Sequence, residues 1–134
     1  MSNRKLILGT VLAAAIVLVV LGLHEASYLQ RGYDLSMGFA GQRPSIVHTT
    51  FPTWLKVAHG LIGLGVLTTL VFTAMMRRVA VQLAWITLAA AITVGYYDVI
   101  QYGTLGSPTS IKTILLLFLL CILATHWRRS GALR

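Results

Sequence analysis

The chemistry open to this chain sits in a few side chains, His24, Glu25, His59, Asp98 and Lys112, each set in a long apolar run. Counted from the nearest end of its run, each lies about three to six residues in. At about 1.5 Å per helical residue that puts them near one level. An ionisable group inside an apolar segment is costly to bury and marks a candidate site by default. Tyr97 precedes Asp98, and Gln101 follows Tyr97 by four residues and Asp98 by three, spacings that share part of a helix face.

Several kinds of chemistry fit such a layer. His24 and His59, at matched depth on neighbouring antiparallel helices, could be the two axial ligands of one haem b. They could instead hydrogen-bond a quinone head together with Asp98 or Tyr97. Two histidines and a carboxylate are also a ligand set for copper, zinc or iron. Lys112 at the same level counts against a divalent cation, because an ammonium group repels it unless an acid intervenes. The remaining reading is structural: Asp98 or Glu25 pairs with Lys112 or Lys56 and holds the helices together. Transport is disfavoured, since carriers keep their ionisable groups near the bilayer midplane. Electron transfer across the membrane through two haems is disfavoured too, for want of a histidine pair on the inner half.

The elements that position these residues follow from composition. Of 134 residues, 57% are hydrophobic and only 10% charged, with a mean hydropathy of +0.80. A soluble domain carries about a quarter charged residues. The expectation is an all-α integral membrane four-helix bundle, a single transmembrane domain with helices at about 6–26, 54–76, 79–101 and 109–127 and an outer capping loop at 27–53. Arg4 and Lys5, Arg77 and Arg78, and Arg128, Arg129 and Arg134 all fall on one side if both termini are cytoplasmic. The formal charge of +8 then divides into +7 inside and +1 outside. That asymmetry accounts for the basic composition through topology and anionic inner-leaflet lipid, so nucleic acid is not expected as a partner.

Along the chain, the first apolar run, Leu6 to Leu23, exceeds the length of a signal-peptide core, and His24 and Glu25 spoil a cleavage site, so a retained helix is expected. Gly9 and Ala13 on this helix, Gly60 and Gly63 on the second, and Ala80, Ala84, Ala91 and Gly95 on the third are small enough to admit a neighbouring helix. The loop carries Tyr28, Tyr33, Phe39 and Phe51 among glycines and prolines, a composition that suits a cap over the outer face, while its His48 is expected to be exposed. Pro52 and Thr53 start the second helix, Arg77 and Arg78 close a tight hairpin, and Ser107 with Pro108 is the expected start of the fourth helix. Cys121 is the only cysteine, so no disulfide forms within one chain. No phosphate-binding glycine loop or nucleophile elbow occurs, and no catalytic activity by the chain itself is expected.

The run Leu55, Lys56, Val57, Ala58, His59, followed by an apolar helix ending in Arg77 and Arg78, resembles the start of a helix in copper-resistance D-type membrane proteins and other small membrane cytochromes. It covers less than a fifth of the chain. In such proteins the histidine is thought to serve metal or haem, so the resemblance implies that role for His59 alone. The chain departs from the pattern in lacking further buried histidines.

These readings converge on a small multi-pass subunit of a bacterial-type inner membrane, both termini inside, associated with a respiratory or electron-transfer system. Its outer-side site of His24, His59, Asp98, Lys112 and Tyr97 would hold a haem b or a quinone, with His24 and His59 as the metal ligands if a metal is bound and Lys112 as the counter-ion of Asp98. The alternatives are a non-catalytic structural or assembly protein, or a copper or other metal-ion handling protein. Expected partners are the lipid bilayer and other membrane subunits or further copies of the chain.

Overall fold

The computed structural model describes residues 3–30, 52–102 and 110–134, with the backbone alone for 22–30 and 102. Four helices occur among them and no strand: α1 (Asn3–Gln30), α2 (Thr53–Ala74), α3 (Val79–Tyr102) and α4 (Ile111–Arg129). Each is long and apolar enough to cross a membrane. The molecule is an all-α four-helix membrane bundle. In hydrocarbon a backbone amide has no water to turn to, and a helix is the element that satisfies each amide within its own segment.

Threonines inside these segments obey the same rule. The hydroxyls of Thr10, Thr68, Thr69, Thr73, Thr93 and Thr125 each donate to the carbonyl four residues earlier, at 2.7–2.9 Å. A polar side chain is thereby kept in lipid or in the core without a partner helix.

The most extensive packing is the seam between α2 and α3, which run antiparallel; α4 packs on α3 and α1 on α2, and Val66, Leu88, Leu117 and Cys121 meet where α2, α3 and α4 come together. The seam face of α3 is built from small and medium residues. Ala80, Ala84, Thr87, Leu88, Ala91 and Asp98 are buried along it, as is Gly95. The small-residue face expected for this helix is therefore a packing face. On α2 the outcome differs. Gly60 and Gly63 are exposed with open space where a Cβ would stand, while at Gly65 a Cβ would come within 2.6 Å of Thr87 Oγ1. Gly65 is the residue that lets α2 and α3 approach. Gly9 likewise meets nothing, and α1 buries Ile7 and Ala14 rather than Gly9 and Ala13.

The two helix ends at the arginine-rich side close in the same way. At the end of α2, the Met76 amide donates to Thr73 O and the Arg77 amide to Phe72 O, with Met76 at φ +57°. At the end of α4, the Gly131 amide donates to Arg128 O and the Ala132 amide to Trp127 O, with Gly131 at φ +75°. Both are Schellman caps. Glycine adopts this backbone freely, whereas methionine is strained there by about 1–2 kcal/mol. Met76 is held by packing against the cluster of Ile7, Val81, Ala124, Trp127 and Leu133. The segment after α4 then joins the two caps: the Arg134 amide donates to Met76 O and the Arg78 amide to Arg134 O.

Most helix ends lie one to four residues from the expected ones, and two of the differences have a physical reason. α1 continues to Gln30, so residues 27–30 are helical rather than part of the outer loop; no proline or glycine between Ala26 and Gln30 stops it. α4 is capped by Ser110, whose hydroxyl accepts from the Thr113 amide at 3.3 Å. The expected cap, Ser107 with Pro108, and most of the outer loop with His48 lie outside the described residues.

Candidate functional site

One turn and a half into α2, the side chain of His59 turns into the seam, and near the far end of α3 Asp98 turns to meet it. Nε2 of His59 stands 2.8 Å from Oδ2 of Asp98. His59 is 8% exposed and Asp98 is fully buried. The two are at comparable distances from the hairpin turn, which is what brings them level in an antiparallel pair.

The surroundings are apolar and aromatic. Leu55, one turn above His59, is fully buried and packs against Val94 and Tyr97. The Tyr97 ring meets Trp54 edge to face, with centroids 5.1 Å apart and an interplanar angle of 65°. Trp54 remains exposed. An indole and a phenol thus flank the mouth of the seam, at the level where amphipathic rings settle in a membrane interface. A hydrogen bond between imidazole and carboxylate fixes the ring in one orientation.

The residues expected to form a site separate into three groups. His59 and Asp98 are in direct contact, and Tyr97 lies beside them on the wall formed with Leu55 and Trp54. Lys112 is exposed on the first turn of α4; among the described residues the ion-pair partner of Asp98 is His59. Lys56 is exposed too, although three residues from His59, and Gln101 is exposed although three from Asp98. Three positions on a helix leave a divergence of about 60°, enough to carry a long polar side chain out of the seam. His24 and Glu25 lie on the backbone of α1, but their side chains are outside the described part.

The donor set bears on what could bind. A histidine that ligates iron or another metal commonly uses Nε2 and gives its other ring nitrogen to a carboxylate. Here Nε2 itself faces Asp98, so coordination of a haem iron through that nitrogen requires breaking the contact. Among the described residues no group of three or more His, Cys, Asp or Glu side chains is placed to hold a metal ion. A buried imidazole–carboxylate pair can hold, donate and recover a proton next to a carbonyl or hydroxyl ligand. Read from the sequence, His59 and Asp98 share one depth but have separate expected partners; their similar separation from the Arg77–Arg78 turn is the signal of direct pairing.

No family model, curated protein or solved structure matches the chain.

Proposed function

We propose that the chain is a small inner-membrane subunit of a respiratory or electron-transfer system, and that its outer-side site is the buried His59–Asp98 pair acting on a quinone head group. The observation carrying this reading is the 2.8 Å contact between His59 Nε2 and Asp98 Oδ2 inside the seam. A quinone supplies the redox chemistry when bound, taking up two electrons and two protons. The chain's own part is to hold the proton: Asp98 fixes the imidazole, His59 offers or recovers the proton at the ligand oxygen, and the Trp54–Tyr97 wall keeps the site dry and gives a flat ring something to pack on. Orientation follows from the arginine clusters, which put both termini in the cytoplasm and the pair near the outer face.

The burial of Asp98 supports a second reading, in which the pair is only a clasp between α2 and α3 in a structural or assembly protein. Quinone extraction and an oxidised-minus-reduced visible spectrum of protein purified in mild detergent separate the two. Quinone should co-purify, haem bands should be absent, and His59→Ala should lose the quinone with the helices intact. A colourless protein with no quinone leaves only the clasp, and a haem spectrum that disappears in His59→Ala contradicts the quinone assignment. Reporter fusions at each end should be active only in the cytoplasm; an external terminus would refute the orientation.

A further inference from the structure

At the opposite end of the bundle from His59, α3 and α4 leave an open groove of about 770 Å³, a size typical of sites that take small organic ligands. Its walls grade from apolar to charged. Trp85 and Ile86 form the part nearer the middle of the bundle, Thr125 the floor, and Gln82, Arg128 and Arg129 the rim. The indole is fixed in place: Trp85 Nε1 donates to Thr125 Oγ1 at 3.1 Å, and that hydroxyl donates to Cys121 O at 2.7 Å. Arg128 and Arg129 are exposed on the last turn of α4, and neither makes an ion pair among the described residues. The acids on the described helices, Glu25 and Asp98, both sit toward the other end of the bundle.

From this gradient we infer a binding site for one anionic diacyl phospholipid. The two guanidinium groups match a phosphodiester, which they can grip through paired N–H donors. Gln82 offers an amide to the hydroxyls of the head group. An acyl chain lies along Ile86 and the immobilised indole, where the groove is within the apolar span. A zwitterionic lipid carries the same chains but cancels the charge that the rim selects, and a free phosphate lacks the chain that the groove wall accepts. The site is independent of the His59–Asp98 pair.

Native mass spectrometry of the full chain in mild detergent tests this, with phosphatidylglycerol, phosphatidylcholine and inorganic phosphate as the probes. One phosphatidylglycerol should be retained roughly tenfold or more over phosphatidylcholine, and the preference should fall by a similar factor in Arg128→Gln/Arg129→Gln. Ile86→Trp, which fills the groove and keeps every charge, should also release the lipid. Arg4→Gln/Lys5→Gln, which removes the same charge from the same side, should not. Equal retention of the two lipids, equal loss in the Arg4/Lys5 variant, undiminished retention in Ile86→Trp, or displacement of the lipid by inorganic phosphate would each overturn the proposal, as annular lipid, diffuse surface attraction, no groove contact or a free-anion site respectively.

Discussion

An imidazole and a carboxylate taken together into a seam between apolar helices lose their water, and each then depends on the other. Hydrogen bonds between membrane helices are worth about 0.6 kcal/mol on average and rarely more than about 1.7. Leaving one partner of a buried hydrogen-bonded pair unsatisfied costs more, about 1–3 kcal/mol. Asp98→Ala and His59→Ala should therefore each be destabilising, and the double variant should lose much less than their sum. A double-mutant cycle read by unfolding in detergent should give a coupling of about 1–3 kcal/mol. Additivity within about 0.5 kcal/mol would mean that the side chains do not meet. Residue types and depth make His59 and Asp98 legible as candidate site residues in the sequence. Their pairing is not, because Lys56 and Gln101 stand three positions away on the same helices and compete for the same face until packing decides between them.

The element that brings the pair together is the α2–α3 hairpin, and its closeness rests on Gly65 against Thr87. A methyl group at position 65 would stand 2.6 Å from Thr87 Oγ1 and 3.0 Å from its Cγ2. Thr87 is buried and β-branched, so it has little freedom to turn aside. Gly65→Ala should cost about 1–3 kcal/mol of unfolding free energy, and most of that should return in Gly65→Ala/Thr87→Ala. Gly60→Ala and Gly63→Ala should stay within about 0.5 kcal/mol of the parent. A neutral Gly65→Ala would mean that the seam is looser than this geometry. The four helices and most of their ends can be read from length, hydropathy and the arginine pairs. Which glycine faces the seam cannot, since a helix that is apolar all round gives no periodic signal for its buried side.

Across the whole molecule, the two ends carry different chemistry. The end of the seam far from the hairpin turn holds the acid, the imidazole and the aromatic pair. The end at the hairpin turn is basic and tied together by backbone: Leu133 is fully buried among Ile7, Val81, Ala124 and Trp127, Arg134 exchanges hydrogen bonds with Met76 and Arg78, and Arg78 Nε donates to Leu133 O at 3.3 Å. These bonds tie the segment after α4 to the turn of the α2–α3 hairpin. That division is half visible in the sequence, where charge placement separates the two sides. The clip is not, because the five residues from Ser130 to Arg134 that follow α4 have no pattern that announces a docking site.

The most direct test of a ligand-bearing His59–Asp98 pair is a titration of the detergent-solubilised protein with a short-chain quinone, followed by tryptophan fluorescence, since Trp54 stands on Tyr97 at the mouth of the seam. Saturable quenching that weakens roughly tenfold or more in His59→Ala and in Asp98→Asn, with unfolding midpoints showing both variants folded, is the predicted result. Quenching that does not saturate, or that is the same in both variants as in the parent, would contradict a ligand at this pair and leave it as a clasp between two helices.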